Sequence, residues 1–129
     1  MIKTPRILIV DDEPSFVRLV KLVLEGSGRY LVRDENDGTR ALEVAREFQP
    51  DLVVLDVVMP KIDGLSVAQA LRAEAQFSSV PILFLSATVV GNEGFKAQIA
   101  GFPAISKPVG VSDLMQVIDR SLAGNQLQG

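Results

Sequence analysis

The chain has no cysteine, no histidine and no tryptophan, and only 5% of its 129 residues are aromatic. Without cysteine there is neither a disulfide framework nor a thiolate to bind a metal or attack a substrate. Without histidine the imidazole chemistries are excluded as well. The reactive groups that remain are carboxylates, hydroxyls and lysine, with or without a metal ion. Excess positive charge is missing too. The formal net charge is −3, which argues against a surface built to hold phosphate backbones or anionic lipid. The N-terminal apolar run, Ile7 to Val10, is too short for the core of a signal peptide, and no stretch approaches a membrane span of roughly 18 apolar residues. These absences predict a soluble, cytoplasmic protein with no direct nucleic-acid or membrane partner.

With 47% hydrophobic residues, a chain of this length is one domain with a core that needs no cross-links. Four apolar runs end in residues that carry chemistry. Ile7 to Val10 leads into Asp11-Asp12-Glu13-Pro14, and Leu52 to Leu55 leads into Asp56. Val80 to Leu85 ends at Ser86, and Ala104-Ile105-Ser106 leads into Lys107-Pro108. Such short, β-branched runs without polar alternation suit strands covered on both faces. A shorter strand candidate is Tyr30-Leu31-Val32.

Helical spacing fills the gaps between these runs. The first helix starts at Pro14 with Asp12 or Glu13 as its cap, an inward stripe of Phe16, Leu19, Val20, Val23 and Leu24, and a stop at Gly26 and Gly28. The second runs from Thr39 to Phe48 with Ala41, Leu42, Ala45 and Phe48 inward, and the third carries Leu65, Ala68 and Leu71 up to about Ala75. A weaker helix is predicted over Asn92–Ala100, where Gly91 and Gly94 each cost about 1 kcal/mol relative to alanine. The last is capped by Ser112 and turns Leu114, Val117, Ile118 and Leu122 inward. This βαβαβαβαβα order predicts one parallel sheet with helices on both faces, a domain over residues 1–123 and a polar tail or linker start over 124–129.

If every strand runs the same way, Asp11, Asp12, Asp56, Ser86 and Lys107 meet in the crevice outside the strand ends. Three carboxylates gathered there repel one another unless a hard divalent cation bound through oxygen, Mg²⁺ first among them, holds them ionised. With that charge and the Lys107 ammonium nearby, an accessible Asp56 oxygen could attack a phosphoryl group, and the Ser86 hydroxyl could bind its oxygens. Singly, each residue has a plainer reading: Asp11 and Asp12 as helix caps, Asp56 as a turn residue, Ser86 as an ordinary hydroxyl, Lys107 as a solvated charge. Those readings do not explain why four buried strands end in acid, acid, hydroxyl and ammonium.

In their order and separation these segments, together with Met59-Pro60, Asp63-Gly64 and Pro81 to Ala87, resemble the receiver domains of two-component response regulators over nearly the whole chain. The resemblance implies the flavodoxin-like strand order 2-1-3-4-5, for which a receiver protein is a standard example. It implies that Asp56 is the phospho-acceptor, charged from a phosphohistidine on a sensor histidine kinase or a phosphotransfer protein. Asp12, Asp56 and the Val58 carbonyl would ligate Mg²⁺, with Asp11 acting through a bound water. Ser86 would be the switch hydroxyl, Ala87 would leave room for it, and Lys107, ahead of a cis Pro108, would pair with the phosphoryl oxygens. Val58 and Thr88 fall where the family tunes attack by water, and an apolar Val58 implies slow self-dephosphorylation. The implied role is a regulatory switch, not an enzyme, acting on a downstream protein or output domain; dimerisation stays open.

One departure concerns Ala104, which stands where the family usually has an aromatic residue that rotates with the switch hydroxyl. Phosphorylation would then be transmitted through the Asn92–Ala100 segment and the loop ahead of it. Two other functions compete. A hydrolase of the haloacid dehalogenase type also uses a strand-end Asp with Mg²⁺, but typically carries a second Asp two residues later, where this chain has Val58. A receiver-like binding module that is never phosphorylated is the other.

Overall fold

The computed structural model describes residues 4–86, 98–106 and 110–128. Ala87, Thr88, Lys107 and most of the helix predicted over Asn92–Ala100 lie outside the described residues. The strands are Arg6–Val10 (β1), Leu31–Glu35 (β2), Leu52–Asp56 (β3), Ile82–Ser86 (β4), Gln98–Ile99 (β5) and Phe102–Ser106 (β6). The described α-helices are Pro14–Gly26 (α1), Ala41–Phe48 (α2), Gly64–Ala73 (α3) and Val111–Gln128 (α4).

The sheet order is β2-β1-β3-β4-β6-β5. All pairs are parallel except the last. Counting only the parallel strands, this is the five-stranded flavodoxin-like order 2-1-3-4-5. Alternation along the strands divides the core in two. Ile7, Ile9, Leu52, Val54, Leu83 and Leu85 face a layer built from α1 and α4, where Val17, Val20, Leu24, Leu114, Val117, Ile118 and Leu122 are buried. Leu8, Val10, Val53, Leu55, Ile82 and Phe84 face α2 and α3 through Ala41, Val44, Ala45, Val67, Ala68 and Leu71.

The structure corrects several local expectations. Helix α1 has apolar residues on opposite faces: Val20 and Leu24 of the expected stripe are buried together with Val17, whereas Leu19 and Val23 are exposed. Glu13 is its N-cap residue but makes no side-chain cap bond. Gln98–Ile99 is a strand, not the end of a helix, because Ala100 and Gly101 both take positive φ (51° and 87°). Two such residues make a tight hairpin turn whose twist suits antiparallel strands. The last helix begins at Val111, one residue before Ser112, and Leu114 N–H bonds to the Gly110 carbonyl. The same helix runs on to Gln128.

A polar clamp fastens α4 to the start of β2. The buried Tyr30 donates its hydroxyl to Asp119 Oδ1, and Arg29 pairs with Asp119 Oδ2. Burial first, then the bond to Asp119, pushes the Tyr30 pKa up to about 12 from its ordinary 10. A folded-state pKa above the unfolded one contributes stability that is complete below about pH 10 and lost as pH rises towards 12. The full shift corresponds to at most about 2–3 kcal/mol. Tyr30→Phe should therefore be less stable than the parent at neutral pH by about 1 kcal/mol, the worth of one hydrogen bond. The gap should narrow or reverse between pH 10 and 12 in urea melts, and a gap independent of pH would refute the clamp's contribution.

Candidate functional site

The strand registers bring the predicted acids together. Val10 pairs with Leu55, and Asp56 pairs with Leu85, so the carboxyl ends of β1, β3 and β4 lie side by side. Asp11, Asp12 and Asp56 each place a carboxylate oxygen within 4.8 Å of the others. Ser86 closes β4 and pairs with Ser106, the residue before Lys107. Asp11 is fully buried, Ser86 is 1% exposed and Asp56 is 6% exposed, deeper than an accessible acceptor was expected to be. Asp12 is the half-buried member and marks the solvent side of the cluster.

Backbone bonds hold these side chains in place. Asp11 Oδ1 accepts the Glu13 N–H at 2.9 Å, so the helix-cap reading of Asp11 holds in part. The Asp11 N–H in turn bonds to the Glu35 carbonyl at 3.1 Å. Asp56 Oδ1 accepts the Val58 N–H at 3.3 Å, and the Val57 N–H reaches the Leu85 carbonyl at 3.2 Å. Val58, two residues after the acceptor position, turns its side chain outwards, 64% exposed.

The residues fit a hard divalent cation. Asp11 Oδ2 is buried, and the donor set is all carboxylate oxygen. Like charges separated by about 4.8 Å repel by roughly 3 kcal/mol per pair at an effective dielectric near 20. A cation bound through oxygen removes that penalty, and carboxylate oxygens are the usual protein ligands of such hard ions.

The other predicted positions are less central. Ala104 is fully buried, pairs with Phe84 in register, and offers no ring to rotate. Phe102 sits at the start of β6, packed edge-on against Phe84 with ring centroids 5.5 Å apart. It therefore belongs to the pole of the sheet opposite Asp56 and cannot replace the missing aromatic. Residue-level reading missed Gly64. A Cβ there would lie 2.2 Å from the Asp56 carbonyl oxygen and 2.9 Å from Val57 Cα. Its N–H bonds to the Val57 carbonyl at 2.7 Å, so the first residue of α3 presses on the acceptor's own backbone. Asp63 caps that helix by accepting the Ser66 N–H at 2.7 Å, and this bond lowers the Asp63 pKa. The signal available beforehand was the Asp-Gly pair, legible only as a turn.

Comparison with known proteins agrees with this geometry. Residues 7–119 match the response regulator receiver domain family. The DNA-binding dual master transcriptional regulator RpaA of Synechocystis is 37% identical over 116 residues, covering 86% of this chain and 46% of that protein. The response regulator Rre1 of the same organism is 34% identical over 93% of this chain and 52% of its own length. The chain thus spans about half the length of these relatives. The crystal structure of a putative response regulator from Chloroflexus aurantiacus superposes with a TM-score of 0.80 at 33% identity, covering 94% of this chain and 99% of that one. The chain belongs to the response regulator receiver domain family. It is a receiver domain of two-component signalling, and no described helix is long and apolar enough to cross a membrane.

Proposed function

We propose that Asp56 accepts a phosphoryl group from a phosphohistidine on a sensor histidine kinase or phosphotransfer protein in the cytoplasm, and that the product switches a protein-binding surface. The observation that carries this reading is the gathering of three carboxylates at the ends of β1 and β3, beside the hydroxyl that ends β4. An Asp56 carboxylate oxygen attacks phosphorus, a P–O bond forms and the P–N bond breaks. The electron pair stays on the departing imidazole nitrogen, which takes up a proton. Asp12, Asp56 and the Val58 carbonyl, with Asp11 through water, are the residues that would hold Mg²⁺, whose charge would offset that of the phosphoryl oxygens. Ser86 would donate its hydroxyl to the acyl phosphate, and Lys107 would pair with its oxygens. We infer a regulatory role for this domain, acting on an output domain or a separate protein.

A small phosphodonor with Mg²⁺ should load one acid-labile phosphoryl group per chain, and Asp56→Asn should carry none. Steady release of phosphate from esters would favour a hydrolase instead, and no loading at all would favour a plain binding module. Val58 supplies a finer test. Its exposed apolar side chain offers no hydrogen bond to an attacking water. Val58→Asn should speed loss of the phosphoryl group by about tenfold, since one added hydrogen bond is worth roughly 1.4 kcal/mol in the barrier. An unchanged decay would remove Val58 from that role.

A further inference from the structure

The pole of the sheet opposite Asp56 holds a cleft of about 570 Å³, between the end of α3, the approach to β4, the start of β6 and α4. Arg72, Ser79, Phe102, Arg120 and Ser121 line it, and among the described residues no carboxylate does. Arginine in this cleft does not follow from a basic composition, because the chain is net negative.

Arg72 is the informative side chain. Its Nη1 donates to the Phe77 and Val80 carbonyls, at 3.0 and 2.6 Å, and its guanidinium lies 5.5 Å from the Phe102 ring centroid. These contacts hold the planar group still. They satisfy two of its five N–H donors and bring no negative charge. Among the described residues no carboxylate pairs with Arg72, whereas Arg29, Arg33, Arg40 and Arg46 all have one. Burial alone acts on the Arg72 pKa, and it lowers it, as expected of a half-buried cation with no counter-charge nearby.

A fixed guanidinium with spare N–H donors on a cleft is matched in geometry and charge by a phosphate, which it grips through two parallel hydrogen bonds. Hydroxyls from Ser79 and Ser121 can add donors, and Pro81, Ile82 and Pro103 give the same cleft an apolar side. We propose that this cleft binds small phosphate monoesters, with the phosphate on Arg72 and the organic part against the apolar side. This site is separate from the phospho-acceptor and independent of its chemistry.

The test is an amide NMR titration of the whole chain in Mg²⁺-free buffer with phenyl phosphate and, separately, inorganic phosphate. Phenyl phosphate should shift the Ser79, Gly101, Phe102 and Ser121 amides saturably, with a dissociation constant on the order of 1 mM or below. Inorganic phosphate should bind the same amides several-fold more weakly. Ser121→Asp, which adds a negative charge to the cleft, should weaken phenyl phosphate about tenfold while the rest of the spectrum is unchanged. Arg72→Gln should do the same if it folds; if it does not, Ser121→Asp alone decides. Shifts confined to the Asp11, Asp12 and Asp56 region, undiminished binding in Ser121→Asp, or inorganic phosphate binding as tightly as the ester would each overturn the proposal.

Discussion

Gly64→Ala should destabilise the domain by about 3 kcal/mol, at the upper end of overpacking effects. The new methyl would sit 2.2 Å from a backbone oxygen and 2.9 Å from a backbone Cα, and neither belongs to a side chain that can swing away. Relief requires moving either the start of α3 or the Asp56–Val57 peptide. Moving α3 breaks the Gly64–Val57 hydrogen bond and disturbs the Asp63 cap. Moving the peptide displaces Asp56 relative to Asp11. The melting temperature should fall by roughly 10 °C, and phosphodonor loading of the fraction still folded should slow as well. Gly26→Ala is the control, because nothing lies within 4 Å of its added methyl and its φ is not positive. That variant should be neutral or up to about 1 kcal/mol more stable. Equal behaviour of the two alanine variants in thermal melts would show that close approach at Gly64 does not matter.

Gly64 also illustrates what the sequence could and could not reveal. The runs ending at Asp11, Asp56 and Ser86 were legible because a buried strand leaves few places for a polar residue except its end. Once the crossovers are right-handed, those ends fall on one edge, so Asp11, Asp12, Asp56 and Ser86 could be gathered without coordinates. Contacts made by backbone atoms leave no such trace. Gly64 reads as half of a turn, and the pressure on the Asp56 carbonyl is visible only in three dimensions.

Helix α1 failed for a different reason. With Phe16, Leu19, Val20, Val23 and Leu24 at helical spacing and Val17 and Leu22 between them, the sequence allows more than one inward stripe. Packing chose the one through Val17, Val20 and Leu24 and left Leu19 and Leu22 exposed. The strand at Gln98–Ile99 was hidden because its hairpin turn places a non-glycine residue, Ala100, at positive φ, where sequence rules expect glycine or asparagine. Arg72 carried no motif at all. Its place in the proposed cleft rests on the fold, which among the described residues pairs it with no carboxylate.

The acidic cluster leads to a pair of opposite expectations in thermal melts. Asp12→Asn should make the metal-free domain more stable, by about 1 kcal/mol, because it removes one member of a mutually repelling set while keeping the side chain's shape. The gain is set below the roughly 3 kcal/mol Coulomb figure because Asp12 is half-exposed and screened by solvent. Asp11→Asn keeps an oxygen to accept the Glu13 N–H, so its loss of charge should also be tolerated or favourable. In the parent, Mg²⁺ should raise the melting temperature, since a ligand that binds only the folded state stabilises it by RT ln(1 + [L]/Kd), about 2.7 kcal/mol at a hundredfold excess over Kd. Removing one carboxylate should weaken that response at least tenfold in Mg²⁺ concentration. The two effects then cross: without Mg²⁺ Asp12→Asn melts above the parent and Asp11→Asn no lower than it, and at saturating Mg²⁺ both melt below it. Matched sodium chloride separates binding from general screening. Variants that melt below the parent without Mg²⁺, or that respond to Mg²⁺ as the parent does, would mean that the three carboxylates are held together for a structural reason and not for a cation.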